Sequence, residues 1–172
     1  MNFANRHEVE EHLAQQAAGG VIVEIGCGFG NGILALHRGT SRGANLPLFG
    51  IDPYEPYVDR TGGTYGPSTL IDFRTNTAGT GVTLIQQPAT VARVGWNRPV
   101  ALLWIDVGMD YDDLRVVFDA WQDAVVEGGV IGITGLCYAQ HGTARLAEQA
   151  LKSGAFDSWL TEQGLVAVLV KR

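Results

Sequence analysis

The sequence predicts an α/β fold, a doubly wound and mainly parallel sheet that ends in an antiparallel C-terminal strand pair. Short apolar runs alternate with helix-length segments, and each run is continuously hydrophobic, which is typical of strands buried on both faces. The 172 residues are 46% hydrophobic and 17% charged, which suits one domain over 1–172. The predicted strands span 21–25, 46–51, 82–85, 101–105, 130–133 and 165–170.

Two segments carry helical signals. Residues 2–18, within a lead-in over 1–20, are polar, place Val9 and Leu13 at helical spacing and end at a glycine pair. The clearest helix follows Asp110, because its apolar residues recur at i, i+3, i+4, i+7 and i+11 and the pair Gly128–Gly129 supplies a stop. These apolar positions are Leu114, Val117, Phe118, Trp121 and Val125.

The C-terminal segment predicts two strands, 156–160 and 165 onward, joined by a tight turn at 162–164. In such a sheet the parallel strands place their carboxyl ends at one edge, where ligands bind. The residues at those ends are Glu24, Asp52, Gln87, Asp106 and Thr134.

Charge and composition exclude several classes of protein. The formal net charge is −6 with the basic residues dispersed, so a nucleic-acid partner is not expected. The first twenty residues lack an apolar signal core and the longest aliphatic run is 165–170, so we expect a cytoplasmic protein with no membrane partner. Cys27 and Cys137 lie 110 positions apart, which signals neither a disulfide framework nor a zinc site.

A glycine-rich turn follows the first predicted strand, with the pattern E-x-G-x-G-x-G at Glu24, Gly26, Gly28 and Gly30. Such a turn lets backbone N–H groups approach a ligand closely. The dinucleotide pattern G-x-G-x-x-G fails in register, because Asn31 stands where the third glycine belongs. An acidic residue beside the loop favours a cationic ligand over a pyrophosphate, although Glu24 also fits a cap or ion-pair role.

The second predicted strand ends at Asp52, 26 residues after Gly26. One carboxylate can accept hydrogen bonds from both hydroxyls of a ribose, although an aspartate before Pro53 is also an ordinary turn residue. Tyr54 lies in a predicted loop over 53–66. It is placed either to pack on the adenine ring of an adenosine ligand or to pack in the protein interior. Gln87, after the third strand, is placed to bind the adenine edge.

The motif at Glu24–Gly30 resembles the first motif of the class I S-adenosylmethionine-dependent methyltransferases, which have a Rossmann-like fold. The later segments 101–114 and 127–131, with the helix-like 70–76, resemble a small branch that includes macrolide-sugar O-methyltransferases. That branch carries D-G-D-H-x-Y where this chain has Asp106-Val-Gly-Met-Asp110-Tyr111, and His-Asp where it has Thr134-Gly135.

The resemblance implies S-adenosylmethionine as the cofactor and O-methylation of a small-molecule acceptor. It implies that the cofactor is bound by Glu24, Gly26, Cys27, Gly28, Phe29, Gly30, Asp52, Pro53, Tyr54, Gln87, Asp106 and Tyr111. The base is expected to be Asp106, with His141 and Asp110 as alternatives, although Asp110 also suits the N-cap of the following helix. Because two of the branch's usual oxygen ligands are replaced, no metal is expected.

Other functions stay open at this point. A nicotinamide oxidoreductase would share the fold, and a non-catalytic protein or one with different chemistry would bind the same cofactor. The acceptor site is expected from 53–66, from 136–142 or from a neighbouring subunit of a possible homo-oligomer.

Overall fold

A seven-stranded sheet forms the centre of the computed structural model, which describes residues 3–58, 62–107, 110–135, 142–160 and 166–172. Its strand order is β5-β2-β1-β6-β7-β9-β8. The strands are β1 (Val21–Ile25), β2 (Leu48–Ile51), β5 (Thr83–Ile85), β6 (Val100–Ile105), β7 (Val125–Thr134), β8 (Phe156–Leu160) and β9 (Val166–Lys171). Strands β5, β2, β1, β6 and β7 are parallel, while β8 and β9 are antiparallel, which confirms the predicted class.

Helices cover both faces of the sheet. They are α1 (Arg6–Gln16), α2 (Asn31–Arg42), α3 (Pro67–Asn76), α4 (Ala89–Arg93), α5 (Tyr111–Trp121) and α6 (Thr143–Lys152). Ile22 of β1 packs in a cluster with residues of α1, α2 and α3, whereas its neighbour Val23 packs with residues of α4, α5 and α6. Because successive side chains point to opposite faces, a strand covered on both sides is mostly apolar, as the sequence indicated, and Glu24 is the exception in β1.

The helix after Asp110 is shorter than its apolar spacing predicted. It ends at Trp121, a 3₁₀ turn spans Gln122–Ala124, and Val125 begins β7. Val125 is buried and pairs with Val100, so sheet pairing overrides the helical spacing. The pair Gly128–Gly129 therefore lies in an irregular part of β7 and does not end a helix, because β7 advances from Val125 to Val130 while β6 advances only from Val100 to Leu102.

The predicted loop 53–66 contains an unpredicted hairpin, β3 (Tyr57–Val58) with β4 (Thr64–Tyr65). The predicted lead-in helix, the helix 70–76 within α3 and the terminal strand pair are confirmed, whereas the predicted turn 162–164 lies outside the described residues. Among the described helices, none has the length and apolar character needed to cross a bilayer.

Candidate active site

The carboxyl ends of β1, β2 and β6 meet at one point of the sheet edge. The amide of Gly26 donates to the carbonyl of Ile51 over 2.9 Å, and the amide of Asp106 donates to the carbonyl of Ile25 over 2.8 Å. The residues that follow these strands, Gly26, Asp52 and Asp106, therefore lie next to one another. Ligands of open parallel sheets bind at this edge.

The glycine loop between β1 and α2 requires glycine for two reasons. Gly26, Gly28 and Gly30 have φ values of 87°, 47° and 89°, in the left-handed region that other residues rarely adopt. A Cβ atom on Gly26 would also lie 2.1 Å from the carbonyl oxygen of Asp106. The loop thus folds tightly against the end of β6, and Gly30 forms the N-cap of α2.

Asp52 is bound to the glycine loop by its side chain. Its Oδ2 accepts a hydrogen bond from the amide of Gly28 over 3.0 Å, and its Oδ1 accepts from the amide of Tyr54 over 2.8 Å. Burial raises the pKa of Asp52, and these backbone donors oppose that rise. Two carboxylate oxygens offer about four lone-pair sites in all, so acceptor capacity remains for a bound hydroxyl.

Tyr54 supports the loop from the protein interior. The side chain is buried, its ring centroid lies 5.8 Å from that of Phe73, and its hydroxyl donates to the carbonyl of Gly28 over 2.9 Å. This geometry favours the packing role over an exposed adenine platform. Pro53 is half-buried beside it, and Gln87 is exposed after β5.

Asp106 is held by two partners at the end of β6. Its Oδ1 accepts from the hydroxyl of Thr134 over 2.7 Å, and its Oδ2 lies 2.5 Å from a guanidinium nitrogen of Arg6. Arg6 was not predicted as a site residue. Its position follows from topology, since α1 directly precedes β1 and packs against α2, β6 and β7, with its first residue beside the carboxyl end of β6.

Glu24 lies beneath the glycine loop, where its side chain is 1% exposed. A Cβ on Gly32 would lie 2.1 Å from Glu24 Oε1 and 3.3 Å from Glu10 Oε1, so glycine at 32 leaves room for two neighbouring carboxyl groups. His7 Nδ1 lies 2.6 Å from Glu10 Oε2. Burial first, and then the other carboxylate, raises the pKa of Glu24 well above its ordinary value. Glu24 is therefore closed off from solvent beneath the loop.

The pKa shift of Glu24 predicts how stability depends on pH. Because the folded chain holds this proton more tightly than the unfolded chain, the free energy of unfolding decreases as pH rises from the ordinary glutamate pKa of 4.5 toward the raised value. We expect Glu24→Gln to lose less stability than wild type between about pH 5 and about pH 8. Urea unfolding at both values measures this, with exposed Glu127→Gln as the control. An equal loss in Glu24→Gln and wild type would contradict the prediction.

Cys27 and Phe29 of the glycine loop differ in burial. Cys27 is buried, and its Sγ would lie 2.8 Å from a Cβ on Gly50, so it faces the core. Burial raises the pKa of its thiol well above the ordinary value, which favours a neutral space-filling role. Phe29 is 42% exposed, and its ring centroid lies 5.9 Å from that of Tyr65.

The remaining predicted residues lie on α5 or beyond it. The hydroxyl of Tyr111 donates to Gln149, and the guanidinium of Arg145 stacks 3.8 Å from the centroid of its ring, so Tyr111 faces α6. Asp110 takes the N-cap position, where its carbonyl accepts from the amide of Leu114 over 3.0 Å. His141 lies outside the described residues.

Comparison with known proteins gives one family match. A family profile described as a methyltransferase domain matches residues 23–133, which include the glycine loop, Asp52 and Asp106. No curated protein sequence matches the chain significantly.

Solved structures of similar fold are distant in sequence. The methyltransferase PaMTH1 of Podospora anserina, bound to S-adenosylhomocysteine, is 15% identical with a TM-score of 0.73, over 100% of this chain and 80% of that one. CalS11, a TDP-rhamnose 3′-O-methyltransferase of calicheamicin biosynthesis, is 18% identical with a TM-score of 0.65, over 96% and 76%. An rRNA methylase from Streptococcus thermophilus is 14% identical with a TM-score of 0.68, over 99% and 98%.

These structures share the fold of this chain, while the profile covers its candidate ligand edge from β1 to β7. Because the profile matches more than half of its residues, the chain belongs to the methyltransferase family, in the class I S-adenosylmethionine-dependent group that the glycine motif predicted.

Proposed function

We propose that this chain transfers the methyl group of S-adenosylmethionine to a hydroxyl group of a small molecule. One observation carries the proposal: the glycine loop and Asp52 are joined by the bond from the Gly28 amide to Asp52 Oδ2. This places a close-approach backbone surface and a carboxylate side by side, the two features that an adenosine ligand with a methionine tail requires.

Different residues of the site would bind different parts of the cofactor. The loop residues Gly26, Cys27, Gly28, Phe29 and Gly30 would contact the methionine part through the backbone, and Asp52 would accept hydrogen bonds from the ribose hydroxyls. Pro53 and Gln87 would border the adenine, while Tyr54 fixes the loop from below. Glu24, which is buried beneath the glycine loop, would support the loop and would not contact the cofactor directly. When bound, the sulfonium supplies an already electrophilic methyl group.

The chain itself would chiefly hold donor and acceptor in line, a positioning effect that reaches roughly 7–11 kcal/mol in favourable systems. A hydroxyl acceptor also needs a group that receives its proton. Asp106 is paired with the cationic Arg6 and fixed by Thr134, which favours positioning over proton transfer, although its oxygens keep acceptor capacity for a further donor. Asp110 and His141 stay the alternative bases, and Tyr111, which faces α6, would line the outer part of the site.

The small-molecule acceptor and the absence of a metal are part of the proposal. The action of CalS11 on a sugar nucleotide supports the first, as does the net charge of −6, which disfavours a polyanion such as RNA. The loss of oxygen ligands around Asp106 supports the second. In the described residues, no cluster of three or more His, Cys, Asp or Glu side chains is arranged to hold a metal ion.

A methyl-transfer assay tests the proposal. The chain is incubated with S-adenosylmethionine and a chelator, and with TDP-rhamnose or an rRNA fragment as acceptor. We expect S-adenosylhomocysteine and a methylated sugar by mass spectrometry, and no methylated RNA. Methylated RNA would contradict the small-molecule assignment, and a reaction that stops on chelation would contradict metal independence. Cofactor binding without transfer to any hydroxyl compound in a broad panel would support a non-catalytic protein.

A further inference from the structure

We propose that Arg6 and Asp106 together bind the zwitterionic amino-acid end of S-adenosylmethionine. Arg6 pairs with the carboxylate of the ligand, and Asp106 accepts hydrogen bonds from its ammonium group. This inference rests on the proposed function, since it assigns partners to one end of the proposed cofactor.

The Arg6–Asp106 pair adjoins the glycine loop. The guanidinium of Arg6 lies 2.5 Å from Asp106 Oδ2, and the carbonyl oxygen of the same aspartate is the atom that a Cβ on Gly26 would strike at 2.1 Å. Asp106 is further fixed by Thr134. A methionine tail that lies along the loop therefore ends beside one fixed anion and one fixed cation.

Exposure separates this pair from the two carboxyl groups beneath the loop, Glu24 and Glu10. The side chains of Arg6 and Asp106 are 35% and 16% exposed, so both are accessible to a ligand from solvent. Glu24 and Glu10 are 1% and 0% exposed and lie beneath the loop. Of these three acids, Asp106 is therefore the one that an ammonium group approaching from solvent can reach.

The chemistry of arginine suits a second partner. Its planar guanidinium carries five N–H donors, and one nitrogen, Nη1, serves the bond to Asp106, so the same plane can also receive a ligand carboxylate. Burial alone would lower the pKa of Arg6, but Asp106 and Glu10 outweigh it and the pKa ends above its ordinary value, so Arg6 stays charged.

The pair is not needed to dock α1. The helix packs through Val9, Leu13 and Ala14, which are buried in one cluster with Ile33 and Leu36 of α2. Partly exposed ion pairs add little to stability. Since the helix dipole disfavours a cation at the first helical residue, the charge of Arg6 is favoured by the acids that it faces, Asp106 and Glu10, and not by its place in α1.

Two ligands separate the roles of the residues. S-adenosylhomocysteine carries the amino-acid end, whereas 5′-methylthioadenosine keeps the adenosine part and lacks it. We expect calorimetric titration to give at least ~10-fold weaker binding of S-adenosylhomocysteine to Arg6→Gln, with binding of 5′-methylthioadenosine changed less than about twofold. Arg38→Gln, which removes an exposed arginine paired with Glu11, is the control and should change neither affinity.

A test on the wild-type chain avoids any folding defect of the variant. The decarboxylated analogue of S-adenosylhomocysteine should bind wild type at least ~10-fold more weakly than the parent compound, and Arg6→Gln should lose this discrimination. Equal binding of parent and analogue by wild type, or equal weakening of both test ligands in Arg6→Gln, would overturn the assignment. Failure of wild type to bind S-adenosylhomocysteine at all would instead overturn the proposed function.

Discussion

Asp52→Ala is expected to weaken binding of S-adenosylhomocysteine by at least ~10-fold, because hydrogen bonds to a charged group contribute about 1.5–3 kcal/mol each. The substitution removes the proposed ribose acceptor and also the partner of the Gly28 and Tyr54 amides. Both losses act on the same ligand, one directly and one through the shape of the loop. Isothermal titration calorimetry measures the effect.

A matched control for this variant is Asp157→Ala. Asp157 lies on β8, the edge strand at the far side of the sheet, and pairs with Arg172. Both side chains are 60% exposed. Its removal should leave the affinity unchanged. Asp52→Asn should fall between Asp52→Ala and wild type, because the amide keeps one acceptor oxygen but loses the charge. Wild-type affinity in Asp52→Ala would discard the ribose assignment.

Gly26→Ala is expected to destabilise the fold by several kcal/mol and to abolish cofactor binding. The added Cβ would lie 2.1 Å from the backbone oxygen of Asp106, and the residue would have to keep a φ of 87°. Overpacking costs about 1–3 kcal/mol and a left-handed non-glycine residue costs about the same again. Since the obstructing atom belongs to the backbone, β1 and β6 must move apart at the proposed site.

Gly79→Ala separates the two causes. Gly79 has a φ of 79°, but a Cβ there meets no atom within 4 Å. It should show the cost of the left-handed conformation without the clash, and it should bind S-adenosylhomocysteine as wild type does. Urea unfolding gives the stability of both variants. Equal destabilisation of Gly26→Ala and Gly79→Ala would show that close packing against Asp106 does not determine the choice of glycine.

The elements that the sequence predicted well are those whose burial is uniform along a segment. Strands β1 and β6 are covered on both faces, so every residue in them except Glu24 is apolar and the pattern is unambiguous. Val125 shows the opposite case, because an apolar residue at the end of a helical pattern fits a helix and a strand equally. Its pairing with Val100, 25 positions earlier, decides the outcome, and no local pattern carries that information.

Some residues of the candidate site could likewise be predicted from the sequence, and others could not. Gly26 and Asp52 could be found because strand ends of a parallel sheet converge whatever the details of packing. The direction of the Glu24 side chain depends on whether α1 and α2 leave room below the loop, and this is set by Gly32 and Glu10 together. Arg6 lies 100 positions from its partner Asp106, so its role requires the path of α1 and not a motif.

Titration of the wild-type chain with S-adenosylhomocysteine, in the presence of a chelator and with NAD as the competing ligand, tests the central claim most directly. We expect binding at a Kd on the order of micromolar that is unchanged by the chelator, and no displacement by NAD. Preference for NAD, or no binding of S-adenosylhomocysteine by the folded chain, would contradict it.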